Sequence, residues 1–142
     1  MTSPLPSTSS VRKTGGFFLH VLPAILYVLA VFYAGSVGTP PMPQTEQVPA
    51  DKLMHFMGFL VMQLVLFRAI HYLFDEIGFV RQLLVSTVLA AALGAGLEFF
   101  QAAFPNRDPD VFDFIADTLG AGVGAGITWW LRGWWIRSER VS

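Results

Sequence analysis

The sequence predicts an all-α membrane protein in which four transmembrane helices form a compact bundle with both termini in the cytoplasm. Three observations lead to this prediction. Four apolar stretches are each about 20 residues long, which is the length that a helix needs to cross a bilayer core. Charged residues make up only 13% of the 142 residues, whereas soluble domains carry about 25%. Lysine and arginine are also concentrated on one side of the predicted membrane.

One domain accounts for nearly the whole chain. Its four spans are predicted over residues 17–37, 53–74, 83–104 and 111–131. The domain itself covers residues 17–137. Residues 1–16 are rich in serine, threonine and proline and are expected to form a disordered tail. Residues 138–142 form a second short tail. We expect both tails to lie in the cytoplasm.

Flanking residues help to define the first three spans. Arg12 and Lys13 before the first apolar stretch are also typical of a secretory signal, but the length of the stretch and Pro23 favour a helix that is not cleaved. Four prolines within residues 40–49 exclude a continuous helix and predict an extended surface loop before the second span. Pro105 ends the third span.

The positions of lysine and arginine predict the orientation, because cytoplasmic loops accumulate these residues. Of the nine, only Lys52 and Arg107 lie on the side opposite the termini. Arg68, within the second span, is long enough to extend to the cytoplasmic surface. Four tryptophans beside Arg132 and Arg137 are typical of an anchor at the inner interface: Trp129, Trp130, Trp134 and Trp135.

In this topology the unusual polar residues share one depth near the outer face. Ionisable side chains inside a span cost at least about 2.5 kcal/mol each, so they normally face the bundle interior and mark function. Their spacing of three or four residues places each pair on one helix face. The pairs are Asp51 with His55, Glu98 with Gln101, and Asp113 with Asp117.

A stripe of small residues continues the face of the fourth span that carries Asp113 and Asp117. It consists of Gly120, Ala121 and Gly124, and Gly94 lies one turn from Glu98 in the third span. Small residues at this spacing allow helix backbones to approach closely in lipid. We therefore expect spans three and four to pack through these faces, with the acids between helices.

The outer cluster carries an excess of acid. Two cations, Lys52 and Arg107, accompany six carboxylates: Asp51, Glu98, Asp108, Asp110, Asp113 and Asp117. Such an excess in a dry site requires protonation, water or a bound cation. The candidate catalytic residues are His55, Glu98 and Asp117. Candidate ligands of a hard divalent ion such as magnesium or calcium are Glu98, Asp113 and Asp117.

Several of these residues also have a purely structural interpretation. Asp51 and Asp113 lie at helix starts, where an acid stabilises the helix N-terminus. His55 alone is more often a hydrogen-bonded interior histidine than a ligand or a base. Arg107 can pair with neighbouring aspartates in water, where such pairs contribute little. Glu98 and Asp117 lie inside their spans, which favours a functional role.

Composition excludes some classes of function. There are no cysteines, which excludes disulfides, thiolate metal sites and a cysteine nucleophile. The formal net charge of -1 argues against a nucleic-acid partner, since phosphate backbones require clustered lysine and arginine. The expected partner is the lipid bilayer, and no cofactor follows from the motifs.

Three motifs resemble the VanZ-like family of small bacterial integral membrane proteins. They are DKLMHFMGF at residues 51–59, LEFFQAAFPNR at 97–107 and DFIADTLGAGVG at 113–124. They follow the family pattern of D-K-x-x-H, then E-x-x-Q with a later R, then D-x-x-A-N-T-x-G, over residues of about 17–131. The resemblance implies that seven residues bind a ligand: Asp51, Lys52, His55, Glu98, Gln101, Arg107 and Asp113. We add Asp117, an extra carboxylate where the family often has asparagine.

The resemblance also implies a multi-pass protein of the bacterial cytoplasmic (inner) membrane and an association with low-level teicoplanin resistance. We expect the outward-facing pocket to bind or modify a cell-envelope component: a cell-wall lipid precursor, a headgroup or a glycopeptide. Lys52 and Arg107 would contact its phosphate or carboxylate, and His55, Glu98 and Gln101 would orient it.

Three other functions stay open at this point. One is an intramembrane enzyme that acts on an envelope lipid by acid/base or metal-assisted chemistry, with Glu98 or His55 as the base. Another is a structural scaffold held together by its polar cluster. The third is a proton-coupled transporter, against which we note that the inner half of the spans carries no equivalent polar cluster.

Overall fold

The computed structural model describes residues 16–37, 50–104 and 110–138, with side chains as far as residue 133, and within these ranges it contains helices and no strand. The helices are α1 (Leu22–Val37), α2 (Ala50–Leu73), α3 (Phe79–Gln101) and α4 (Val111–Ser138). A helical segment of residues 16–20 and a turn at Val21 precede α1.

Four helices are long and apolar enough to cross a membrane. Their candidate spans are Gly16–Val37, Ala50–Leu73, Phe79–Gln101 and Val111–Gly133. Within the described residues, the prediction of an all-helical protein with four helices long and apolar enough to span a membrane is therefore confirmed. The cytoplasmic location of both termini and the compactness of the bundle stay predictions.

Helix boundaries depart from the predicted spans where polar residues flank an apolar stretch. Helix α2 begins at Ala50 and takes Asp51 into its first turn. Helix α3 begins at Phe79 and ends at Gln101, with a C-cap at Ala102 whose N–H bonds to the Glu98 carbonyl. An apolar stretch predicts the part of a helix that lies in the bilayer core. The ends of the helix are determined instead by its backbone hydrogen bonds, which continue into flanking polar residues or stop before the apolar stretch ends.

Some predictions concern residues outside the described part of the chain. These are the N-terminal tail up to residue 15, the proline-rich loop of residues 38–49, the C-terminal tail from residue 139, Arg107 and Asp108, and the side chains of Trp134, Trp135 and Arg137.

Helices α2 and α4 form the closest packing in the bundle, and glycines of α4 make it possible. A Cβ added at Gly120 would overlap the backbone carbonyl of Phe56 on α2. A Cβ added at Gly124 would lie 2.8 Å from the carbonyl oxygen of Leu60. The expectation that this stripe packs against the third span is wrong for Gly120 and Gly124. A glycine stripe predicts a close approach but does not identify the neighbouring helix.

Gly94 of α3 does face α4, as expected. A Cβ there would lie 3.1 Å from both Cβ and Oδ2 of Asp117. The apolar core lies between α2, α3 and α4 and consists of Phe59, Met62, Leu66, Ala90, Leu97 and Ala121. Helix α1 packs on this core at its edge, with Val31 and Phe32 among its contacts. Large apolar side chains are exposed along the outer surface, which suits a surface solvated by lipid tails.

Candidate functional site

The predicted site residues converge at one end of the bundle, where α2 and α4 begin and α3 ends. Helix α2 contributes Asp51, Lys52 and His55; α3 contributes Glu98 and Gln101; α4 contributes Asp113 and Asp117. Asp110 comes directly before α4, and its Oδ1 accepts the N–H of Phe112 at 2.8 Å. A side-chain acceptor at this position caps the helix N-terminus.

Lys52 is paired with two acids. Its Nζ lies 2.5 Å from Oδ2 of Asp110 and 2.7 Å from Oδ1 of Asp113. The third acid, Asp51, is more distant at 3.9 Å. The hydrogen bond from Lys52 lowers the pKa of Asp110, which lies outside the spans, below its ordinary value. Lys52 thus links the first turn of α2 to the first turn of α4, and its charge is compensated within the protein.

His55 and Asp117 form a second pair, one helical turn deeper. Nδ1 of His55 lies 2.9 Å from Oδ1 of Asp117, and Nε2 lies 3.8 Å from Oδ2 of Asp113. The side chain of Asp117 is 0% exposed. Gly94 accommodates it, because a Cβ at this position would press on the carboxylate.

Glu98 completes a three-residue group with His55 and Asp117. One possible ligand atom from each of the three lies within 4.8 Å of the others. The N–H of Asp110 donates to Oε2 of Glu98 at 2.9 Å, which orients the carboxylate. Two buried oxygens, Oε1 of Glu98 and Oδ2 of Asp117, have no hydrogen-bond partner in the described part of the chain.

A cavity of about 220 Å³ lies beside these pairs. Its polar wall is formed by Asp51, His55, Gln101 and Asp113. Its apolar wall includes Met54, Phe59 and Leu97, and α1 contributes Val31, Ala34 and Gly35. The cavity therefore has a polar side and an apolar side, which is the character of an amphipathic binding site.

The structure brings together seven of the eight predicted ligand-binding residues, and Arg107 lies outside the described residues. Among the expected metal ligands, Asp113 contacts Lys52 instead, and His55 joins Glu98 and Asp117. All the predicted site residues lie in or beside spans two, three and four, so the sequence did not indicate that α1 also lines the cavity. Gly35, a small residue buried near the end of α1 against Leu97 and Gln101, is the signal that could have revealed it.

The opposite half of the bundle also contains polar contacts, which we did not expect. Nε2 of Gln63 donates to Oγ of Ser86 at 2.9 Å. Further contacts join Arg68 to His20 at 3.0 Å and His71 to Gln82 at 2.8 Å. None of these contacts includes a carboxylate. The polar residues of this half are spread over several turns, so their clustering was not visible in the sequence.

Comparison with known families identifies one family that the chain matches. A family model described as VanZ/LLP1 matches residues 7–132, which include the first three candidate spans and all but the last residue of the fourth. The chain belongs to the VanZ/LLP1 family. No curated protein and no solved structure matches it.

Membership of the VanZ/LLP1 family confirms the resemblance that the three motifs indicated, since all three lie inside the matched range. It also agrees with a multi-pass membrane protein, which the length and hydropathy of the four helices indicate. Within this VanZ/LLP1 domain Asp117 stands out, because the resemblance leads one to expect asparagine there. The extra carboxylate is fully buried beside His55.

Proposed function

We propose that this VanZ/LLP1 protein binds the polar headgroup of a cell-envelope lipid in the cavity at the outward-facing end of its bundle. The observation that carries the proposal is the cavity itself, which combines a wall of acids, imidazole and amide with a wall of apolar side chains. Small-molecule sites typically join apolar linings to a few placed polar groups.

Cavity size selects among the expected ligands. Pockets that enclose drug-sized molecules have volumes of about 300–1,000 Å³. A cavity of about 220 Å³ is too small to enclose a glycopeptide. It does accommodate a headgroup or part of one, since a water molecule takes up about 30 Å³ of liquid volume. The proposed ligand is accordingly a lipid or the lipid-linked part of a cell-wall precursor.

Charge indicates which headgroup chemistry fits. Two carboxylates, Asp51 and Asp113, face the cavity, and no lysine or arginine is among its described lining residues. Lys52, expected to contact phosphate, is instead paired with Asp110 and Asp113. We assign it a positioning role. A headgroup with a primary amine or hydroxyl groups suits this wall better than an exposed phosphate.

The apolar wall accounts for the membrane part of the ligand. Val31 and Ala34 of α1 line the cavity together with Leu97 of α3. The first carbons of an acyl chain that descends from the headgroup would pack there. Helix α1 thus has a role that its exposed, lipid-facing surface alone does not suggest.

A variant that fills the cavity tests this proposal. Gly58 lines the cavity, and a Cβ added there meets no atom within 4 Å. Gly58→Phe should therefore occlude the cavity and leave the polar cluster intact. The matched control is Gly122→Phe, because Gly122 is also free of contacts but lies away from the cavity.

The measurement is lipid mass spectrometry of the protein purified in nanodiscs. We expect the native protein and Gly122→Phe to retain an amine- or hydroxyl-bearing lipid that Gly58→Phe loses. Equal retention of the same lipid by all three proteins would contradict the proposal. In cells whose teicoplanin susceptibility depends on this protein, Gly58→Phe should also lose protection.

One observation favours a second function, acid/base catalysis on an envelope lipid. His55 faces the cavity and contacts a buried aspartate at 2.9 Å, an arrangement found where histidine acts as a general base. Expression of the native protein should then change the lipid composition of the membrane, and His55→Gln should not. Identical lipid profiles would remove this alternative.

A further inference from the structure

We propose that His55, Glu98 and Asp117 form a binding site for one divalent transition-metal ion, for which zinc is the test ion. The three residues lie on three different helices, so only the folded bundle brings them together. The proposal goes beyond lipid binding and does not depend on what occupies the cavity.

The geometry is close to that of a metal site. The possible ligand atoms lie within 4.8 Å of one another. In a tetrahedral zinc site with bonds of about 2.1 Å, ligand atoms are about 3.4 Å apart. Rotations of the side chains that move these atoms by about an ångström would close the difference.

Buried oxygens without partners give independent support. Oδ2 of Asp117 and Oε1 of Glu98 lack a hydrogen-bond partner among the described residues. Asp117 is 0% exposed and Glu98 is 8% exposed, so bulk water does not solvate these atoms. A buried carboxylate oxygen is costly unless it is paired or coordinates a metal.

The charge of the three proposed ligands also favours a divalent cation. Two ionised carboxylates and a neutral imidazole carry two negative charges, which a divalent cation neutralises. Lys52 is committed to Asp110 and Asp113. The ion would therefore supply the compensation that this lysine does not provide.

The donor set selects the kind of metal. One imidazole nitrogen with two carboxylates suits zinc, manganese or iron, whereas magnesium and calcium prefer oxygen ligands alone. The sequence predicted Asp113 as the third ligand, whereas the structure places His55 beside Glu98 and Asp117. The expected ion is therefore a transition metal and not a hard cation such as magnesium. Glu98 is already oriented by the N–H of Asp110, as outer hydrogen bonds usually orient metal ligands.

Metal binding can be measured on the full chain in nanodiscs after removal of metal with a chelator. Isothermal titration with zinc, manganese and magnesium would give affinity and stoichiometry, and elemental analysis would identify retained metal. We expect one equivalent of zinc. Asp117→Asn and Glu98→Gln should weaken its binding about tenfold or more.

Asp75→Asn is the matched control, because it removes one exposed carboxylate that lies outside both the proposed ligand set and the cavity. It should change zinc affinity less than about twofold, since exposed charges interact weakly. Asp117→Asn is expected to fold, because asparagine is the residue that the family resemblance predicts at this position.

A second measurement needs no variant. Cobalt bound to the native protein should give the visible absorption of a four-coordinate site with a nitrogen ligand. Absence of stoichiometric zinc from the native protein, or equal zinc affinity for Asp117→Asn and the native protein, would overturn the proposal. Either result leaves the lipid-binding proposal intact, because that proposal is tested through Gly58.

Discussion

Gly120→Ala adds only one methyl group but should destabilise the bundle, because that group overlaps the backbone of α2. The added Cβ would overlap the carbonyl oxygen of Phe56, lie 2.9 Å from its carbonyl carbon and lie 3.1 Å from the nitrogen of Leu60. All three atoms belong to the backbone of α2, so no side-chain rotation can relieve the overlap. Helices α2 and α4 would have to move apart along their closest contact.

The magnitude follows from two opposing effects. Insertion of a methyl group into a packed interior typically costs 1–3 kcal/mol, and a backbone obstacle places Gly120→Ala at the upper end. Alanine gains roughly 1 kcal/mol over glycine from helix propensity. We therefore expect a net loss of about 1–2 kcal/mol in the free energy of unfolding.

Two other glycines of the same helix provide an internal scale. Gly122 meets no atom within 4 Å, so Gly122→Ala should show only the propensity gain of up to about 1 kcal/mol. Gly124 is intermediate, because its added Cβ would lie 2.8 Å from the Leu60 carbonyl oxygen and 2.9 Å from Cβ of Gln63, a less severe overlap than the one at Gly120. Gly122→Ala should be the most stable of the three variants, Gly124→Ala should follow, and Gly120→Ala should be the least stable.

Reversible unfolding in mixed detergent micelles, followed by circular dichroism, would measure this series. Equal stability of Gly120→Ala and Gly122→Ala would refute the close approach of α2 and α4. A loss of the same size in all three variants would instead show that alanine is unfavourable anywhere on this helix, and the contact argument would fail.

Three further predictions concern topology, pH and the opposite half of the bundle. The chain has no cysteine, so Val111→Cys and Asp75→Cys each introduce a single labelling site. An impermeant maleimide added outside cells should label the Val111→Cys protein but not the Asp75→Cys protein. The reverse pattern would invert the predicted orientation. Since the pKa of Asp110 is lowered in the folded protein, its stabilising contribution is complete above the unfolded pKa of about 3.9 and is lost as pH falls through the lower folded value. Asp110→Asn should therefore flatten the acid limb of a stability-versus-pH curve, and high salt should reduce the difference, because the Asp110 side chain is 40% exposed. Ser86→Ala leaves the buried amide of Gln63 without its 2.9 Å acceptor and should cost about 0.6–1.7 kcal/mol by detergent unfolding; a coupling near zero in a double-mutant cycle with Gln63→Leu would contradict this.

The sequence was sufficient to predict the helices and much of the polar cluster. Four apolar stretches require four helices, because lipid leaves backbone groups no other partner. Spacing of three or four residues placed each polar pair on one helix face, and the buried side chains of Glu98 and Asp117 agree with it. Both inferences depend only on local periodicity.

Helix partners and charge pairing were not predictable in the same way. Whether Gly120 meets the second or the third span depends on the rotation of α4 about its axis, which a repeat of small residues does not specify. Lys52 was expected to bind a ligand because the family resemblance implied that role. Its two short contacts are to Asp110 and Asp113, which lie 58 and 61 residues further along the chain. Only the packing of α2 against α4 brings these residues together.

Packing and chemistry are coupled in this bundle, since Gly120 follows Asp117 by one turn and Phe56 is the neighbour of His55. Any separation of α2 from α4 at the glycine contact also separates the carboxylate from the imidazole. An increase of about 1 Å would lengthen their 2.9 Å contact beyond hydrogen-bond range. Gly120→Ala should therefore weaken zinc binding although it changes no proposed ligand, and Gly122→Ala should not. Unchanged zinc affinity in a destabilised Gly120→Ala protein would show that the site does not depend on the approach of these two helices.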